Sequence, residues 1–124
     1  MDALVQDSVP ALRPGDRVES VEIRFGEVGE VVEPDSVGIE PGDWVDFRTD
    51  DGSPRLVRFA LEEMNDSQRA FLDERGAAVS PPLVAVGAHW VVSFIDAPPG
   101  RYPFRVEGAR GSVRGVVQVG GTGV

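Results

Sequence analysis

Residues 88–106 read AHWVVSFIDAPPGRYPFRV and carry the clearest pattern in the chain. Large apolar side chains occupy every second position on both sides of the Pro98-Pro99-Gly100 turn, at Trp90, Val92, Phe94, Tyr102, Phe104 and Val106. Alternation with period two is the signature of strands that bury one face. This stretch therefore predicts two β-strands joined by a short loop, with both inner faces in a common core.

The same pattern recurs along the chain, between turns rich in Gly, Pro and Asp. Strands are predicted at 21–25, 30–33, 36–40, 44–49, 55–60 and 115–119, with Pro34 separating the second from the third. About seven or eight short strands with frequent turns favour an all-β Greek-key sandwich. We expect one short helix at about 66–75, because Asn65 and Gln68 form a capping-box pattern and Gly76 supplies a stop.

The length of 124 residues suits one domain, since two smaller cores would be hard to stabilise. We assign residues 17–119 to this domain, 1–16 to an extended N-terminal arm and 120–124 to a flexible tail. The chain shows neither a signal-peptide pattern nor a run long enough to cross a bilayer. As it stands, it is expected to be cytoplasmic, or extracytoplasmic if a signal was removed.

Composition excludes several classes of function. The formal net charge is −9, which disfavours nucleic acid and anionic lipid as main partners. The chain has no Cys, so disulfides, thiolate chemistry and iron–sulfur ligation are excluded. No nucleophile, base and acid are spaced as a catalytic set, so we do not expect an enzyme.

Three segments in order, 33–47, 53–59 and 93–106, followed by the strand at 115–119, resemble the cupredoxin family of plastocyanin and azurin. Pro41-Gly42-Asp43-Trp44-Val45 is similar to the family's Pro-Gly-Asp turn and following strand. Pro99-Gly100-Arg101-Tyr102 is similar to its Pro-Gly-x-Tyr turn. The likeness covers about 20–119 and implies a cupredoxin-like fold.

The resemblance also implies where copper ligands would stand, and none is present. The first His position is Arg55, the Cys position is Val106, the second His position is Ala109, and the Met position falls near Val113. A blue-copper centre needs two imidazoles and a thiolate. We therefore expect no copper and no other cofactor, with Val106, Ala109 and Val113 filling the former pocket with apolar volume.

The remaining candidate ligands look structural. His89 is the only His, and its parity opposite to Trp90 predicts a surface imidazole. Asp46, Asp50 and Asp51 are residue types that bind hard cations, but a solvated turn is the simpler interpretation.

Arg55 has the parity of the inward residues Val57 and Phe59, so it should either reach solvent or pair with a carboxylate. Glu107 is the candidate partner. A basic edge for docking an acidic protein is predicted from the arginines near this end, namely Arg55, Arg101, Arg105, Arg110 and Arg114. The arm supplies a second candidate contact through Leu4, Val5, Val9 and Leu12.

These features predict a metal-free interaction subunit, structural rather than enzymatic, that docks onto a protein partner or multisubunit complex. A membrane-bound respiratory or photosynthetic complex is one candidate host by analogy with the family. Two alternatives stay open: a copper electron carrier, and a small-ligand-binding sandwich that uses Trp44, Trp90 and Tyr102. The sequence does not decide whether the domain self-associates.

Overall fold

The computed structural model describes residues 17–109 and 111–120, which form eight strands and one α-helix. The first four strands are β1 (Val18–Phe25), β2 (Glu30–Glu33), β3 (Ser36–Ile39) and β4 (Trp44–Thr49). Then come β5 (Arg55–Phe59), a 3-10 turn (Leu61–Glu63), α1 (Asp66–Arg75), β6 (His89–Ser93), β7 (Gly100–Gly108) and β8 (Gly111–Val119). The predicted all-β sandwich with one short helix is confirmed.

The strands form two four-stranded sheets, with the orders β2-β1-β4-β6 and β3-β8-β7-β5. Two of the pairings are parallel, β1 with β4 and β3 with β8, and the other four are antiparallel. The long antiparallel hairpin of β7 and β8 places Gly108 opposite Gly111. This hairpin is the centre of the second sheet.

The alternating apolar residues meet between the sheets. Val45, Phe47, Val57, Phe104 and Val106 are each 0% exposed. Aromatic rings join the two sheets, with the Phe47 and Phe104 centroids 5.0 Å apart at an interplanar angle of 78°. Edge-to-face pairs of this kind add to the free energy gained by burial. The period-two positions seen in the sequence thus form a single core.

The helix α1 begins and ends where the sequence predicts. The Asn65 side chain accepts a hydrogen bond from the Gln68 backbone N–H at 2.9 Å, and the Gln68 side chain accepts one from Asn65 N at 3.0 Å. At the other end, Gly76 adopts a left-handed conformation with φ 64°. Phe71 and Leu72 are buried against the sandwich.

The last hairpin is longer than predicted. β7 extends from Gly100 to Gly108 and β8 begins at Gly111, four residues before the predicted start at Gly115. Residues 111–114 show no apolar alternation, and their pairing with β7 supplies the strand structure. The predicted arm, 1–16, and most of the predicted tail, 120–124, lie outside the described residues. No helix in the described part of the chain is long and apolar enough to span a membrane.

Candidate functional site

The positions singled out as lost ligands meet at one end of the sandwich. Arg55 lies opposite Gly108 on β7, and Val106 lies opposite both Val57 and Val113. The 81–88 segment joins this end, because Leu83 and Arg55 exchange two backbone hydrogen bonds of 3.0 and 2.8 Å. We call this the loop end; its described residues are 25–30, 50–55, 83–88, 108–109 and 111.

A buried arginine cluster occupies the loop end. The Arg55 side chain is 0% exposed, and its Nε donates to Glu30 Oε1 at 2.7 Å. Its Nη1 and Nη2 donate to the two carboxylate oxygens of Asp51 at 2.8 and 3.3 Å. Arg55 Cζ also lies 4.8 Å from the ring centroid of Phe25. One guanidinium therefore ties together β5, the loop before it and the turn that joins β1 to β2.

The electrostatics of this cluster favour full ionisation. Burial alone would lower the pKa of Arg55, but the hydrogen bonds and charges of Asp51 and Glu30 outweigh it and raise that pKa. The hydrogen bond from Arg55 and the backbone N–H of Ser53 lower the pKa of Asp51. The cluster thus holds one cation between two carboxylates.

Gly108 gives the cluster its space. A Cβ added at Gly108 would come within 2.8 Å of Glu30 Cδ and 3.4 Å of Arg55 Cγ. Glu30 Oε2, packed at this point, is buried and has no hydrogen-bond partner among the described residues. The buried carboxylate of Glu30 therefore requires a residue without a side chain at position 108.

The predicted pairing of Arg55 with Glu107 is wrong. Glu107 has the outward parity of β7 and pairs instead with Arg58 Nε at 3.3 Å, while Arg55 points inward. The partner Glu30 lies 25 residues from Arg55 in the sequence. The sequence could have pointed to Glu30 through the alternation in β2. Glu30 shares the inward face of that strand with Val32, and an inward carboxylate needs a cation.

The three apolar residues predicted to fill the pocket differ in burial. Val106 is 0% exposed and extends the core as its parity predicts. Val113 is partly buried and packs against the core. The prediction that Ala109 fills the pocket is wrong, because Ala109 lies in the β7–β8 turn and is exposed.

The described arginines of the predicted basic edge do not gather as exposed cations at the loop end. Arg58, Arg105 and Arg114 stand in register across β5, β7 and β8, on the outer face of the sheet. Each has a carboxylate partner: Glu107 for Arg58, Glu62 for Arg105 at 2.9 Å and Glu63 for Arg114 at 2.7 Å. This face is therefore charge-balanced rather than basic.

The other proposed contact residues fall elsewhere. Arg101 is exposed at the start of β7, at the opposite end from Gly108, and Arg55 is buried, so neither contributes to an exposed basic surface at the loop end. Arg110 and the arm residues Leu4, Val5, Val9 and Leu12 lie outside the described residues.

Two sequence interpretations of polar residues also need correction. His89 is not a free surface imidazole, because its Nδ1 lies 2.9 Å from Asp46 Oδ1 and its side chain is only 21% exposed. Asp50 is exposed in the turn as expected, but Asp46 lies in β4 and pairs with His89, and Asp51 pairs with Arg55. Within residues 17–109 and 111–120, no group of three or more His, Asp or Glu side chains could hold a metal ion.

No protein-family model matches the chain, and no curated protein sequence matches it. Solved structures do match. The fern plastocyanin of Dryopteris crassirhizoma has a TM-score of 0.58 at 19% identity, over 79% of this chain and 98% of that one. The pseudoazurin of Methylobacterium extorquens AM1 has a TM-score of 0.55 at 21% identity, over 85% and 76%. The purple cupredoxin of Nitrosopumilus maritimus has a TM-score of 0.52 at 18% identity, over 82% and 98%.

The chain has the cupredoxin fold. The residues at its loop end do not fit a type 1 copper centre, which needs two imidazoles and a thiolate. The chain has no Cys, and His89, its only His, is bound to Asp46 on the first sheet. A guanidinium is always protonated and offers no lone pair to a metal. Arg55 therefore cannot stand in for a ligand, and no electron-transfer step through copper follows from this site.

Two of the three aromatic residues considered for ligand binding, Tyr102 and Trp90, pack in or against the core. Tyr102 is 0% exposed, and its hydroxyl donates to the Pro98 carbonyl at 2.6 Å. Burial raises the pKa of Tyr102 to about 12. The Trp90 ring stacks on Phe47 at a centroid distance of 5.7 Å. A small-ligand site built on all three aromatics is therefore not favoured.

An exposed apolar rim surrounds the arginine cluster. Three valines at or beside the turns of the loop end are largely exposed: Val28 at 100%, Val84 at 57% and Val86 at 75%. A shallow depression of about 380 Å³ also lies at the loop end, lined by Pro54, Arg55, Leu56, Pro82, Glu107, Gly108 and Ala109. The loop end thus combines a rigid charged interior with an apolar surface.

Proposed function

We propose that this protein is a metal-free, non-enzymatic interaction subunit that docks onto a protein partner through its loop end. The observation that carries the proposal is the apolar rim over the arginine cluster. Exposed apolar side chains gathered at one end of a soluble domain are typical of interaction sites. The buried ion pairs fix the loops beneath that rim, so the surface is preorganised for binding.

The partner surface that best fits this end has an apolar centre and a basic border. Val28, Val84 and Val86 supply the apolar contacts, and the exposed Glu27 and Asp50 lie at the same end. The formal net charge of −9 favours association with a basic surface. We propose a multisubunit assembly as the host, and a membrane-bound electron-transfer complex as its class, by analogy with the redox partners of cupredoxins.

Affinity capture with paired variants tests this function. V84D/V86D places two charges in the rim, whereas the control V18D changes a valine that is 37% exposed at the opposite end of β1. We expect the wild-type protein and V18D to retain the same partner from source-cell extract, with the partner identified by mass spectrometry. V84D/V86D should lose it.

Two results would count against the proposal. One is a strictly monomeric protein that captures nothing. The other is a partner that V84D/V86D retains as well as V18D does, because the docking surface would then lie elsewhere.

A further inference from the structure

Within the part of the chain that the structure describes, the β6 strand is an open sheet edge. Among the described strands it pairs only with β4. Thr49 N donates to Ala88 O at 2.9 Å, and Phe94 N donates to Asp43 O at 3.0 Å. Because bonded and non-bonded pairs alternate along antiparallel strands, the even-numbered residues of β6 are those whose backbone bonds to β4. The backbone N–H and C=O groups of His89, Val91 and Ser93 therefore point away from the sheet, and no described residue bonds to them.

A groove of about 370 Å³ runs along this edge. One wall is β6 from Trp90 to Ser93, the other is the C-terminal turn of α1 from Glu74 to Ala77, and Trp44 borders one end. Val92 is only 3% exposed and bonds to β4, so the outward backbone groups along the groove are those of Val91 and Ser93. A slot between a free strand edge and a helix suits an extended peptide, which can bond to the strand backbone.

The edge strand lacks protecting residues of its own. Many natural edge strands carry Lys, Pro, inward charges or bulges that discourage a further strand. The sequence of β6 is HWVVS, with no Pro, Lys, Arg, Asp or Glu. By contrast β2, at the other edge of the same sheet, carries Glu30 and Glu33.

The charge around the groove indicates which peptide fits. The C-terminal end of α1, with its partial negative charge, lies at the groove, where Glu74 and Arg75 line the wall and Asp73 is exposed on the same turn. Arg75 keeps its positive charge, since its partners are the neutral Ile95 carbonyl and the Phe71 ring. Two carboxylates against one guanidinium leave this turn negative, in a chain with a formal net charge of −9, which favours a basic peptide over an acidic one.

We propose that the groove between β6 and α1 binds an extended, basic peptide segment of a partner protein, which adds as a further strand beside β6. This goes beyond docking at the loop end, since Ser93 and Trp44 lie at the opposite end of their strands from His89 and Arg48. Either site can bind without the other.

The two tryptophans make the test direct, because the only Trp residues of the chain, Trp44 and Trp90, both line the groove. The probe is a short alternating Lys-Val peptide, titrated against the full chain with intrinsic fluorescence as the readout. We expect a saturable change in Trp fluorescence. The Glu-Val counterpart should bind at least about tenfold more weakly, since like charges oppose its association.

Two pairs of variants separate the backbone contribution from the charge contribution. V91P removes an outward N–H without touching a bond to β4, a placement that edge strands tolerate, and should abolish peptide binding. V91A keeps that N–H and should bind as the wild type does. E74R should weaken binding of the Lys-Val peptide and strengthen that of the Glu-Val peptide. E27R makes the same charge change at the distant β1–β2 turn and should alter neither.

Circular dichroism checks that V91P folds. If it does not, the E74R and E27R pair and peptide-induced shifts of the His89, Val91 and Ser93 amide resonances decide the matter. The proposal is overturned by an unsaturable response, by V91P binding as V91A does, or by amide shifts that follow protein concentration, which would assign the edge to a second copy. V84D/V86D should leave the titration unchanged, so failure here is distinct from failure of docking at the loop end.

Discussion

Arg55 shows how one buried side chain can hold several segments of a chain together. Its guanidinium is fully buried, and Glu30 and Asp51 satisfy it from two other segments. Removing one partner of a buried ion pair leaves the other charge desolvated, which costs far more than losing an exposed pair. The stability of the loop end should therefore depend on Arg55 and hardly at all on the arginines of the outer face.

The substitution R55M tests this dependence. It keeps most of the side-chain volume but leaves the Glu30 carboxylate buried without its cation, so we expect a loss of about 3–5 kcal/mol in the free energy of unfolding. The control R58M breaks the half-exposed pair with Glu107 and should cost about 0–1 kcal/mol. Urea denaturation measures both.

The double variant R55M/E30M completes the test, because it removes both buried charges together. It should be more stable than R55M alone. If R55M and R58M lose the same free energy of unfolding, the arginine cluster does not stabilise the loop end more than an exposed ion pair does.

Tyr102 gives a pH test of the core, as it is the only Tyr in the chain. Burial raises its pKa from the ordinary value of 10.0 to about 12 in the folded state. The folded protein therefore holds the proton more tightly than the unfolded chain, and stability falls as the pH rises from 10 towards 12. Alkaline titration followed by phenolate absorbance should give a midpoint near 12, together with loss of far-ultraviolet structure. A midpoint near 10 with the fold intact would contradict the burial.

At the scale of elements, the β7–β8 hairpin determines how the loop end is packed. Gly108 and Gly111 face one another across it, and Gly108 leaves space for Glu30 beside Arg55. Overpacking a site that is already filled costs about 1–3 kcal/mol.

The substitution G108A is thus expected to destabilise the protein by about 1–3 kcal/mol, because its Cβ meets the Glu30 carboxylate. The matched control is G38A in β3, where an added Cβ meets no atom within 4 Å and should be neutral or slightly stabilising. Differential scanning calorimetry compares the two melting temperatures. If G108A and G38A have the same melting temperature, the contact between the added Cβ and Glu30 does not affect stability.

Local signals were enough to place most elements. The capping box at Asn65 and Gln68 fixed the start of α1, and the alternation from Trp44 to Thr49 defined β4, because both depend on neighbouring residues. The first part of β8 was missed, since Gly111-Ser112-Val113-Arg114 has no apolar period and becomes a strand only by pairing with β7. Long-range pairing leaves no local trace in such a segment.

At the scale of the whole molecule, the absence of a copper-ligand set could be inferred from the sequence, but the packing at those positions could not. The positions of Arg55 and Val106 followed from turn motifs and strand parity. The partner Glu30 and the exposure of Ala109 did not, because both depend on how distant strands meet at the loop end. In the described part of the chain, the sandwich carries exposed valines at its loop end and a separate edge strand, β6, that pairs only with β4.

The central claim is that this cupredoxin fold holds its loop end with an arginine cluster and cannot assemble a copper centre there. The most direct measurement is Cu(II) titration of the variant R55H/V106C/A109H/V113M, followed by visible absorbance, with circular dichroism to confirm folding. Because residue 109 points to solvent in the hairpin turn while residue 106 is buried, the four side chains should not converge, and we expect no intense blue band. An intense blue band with about one copper per chain would contradict the account.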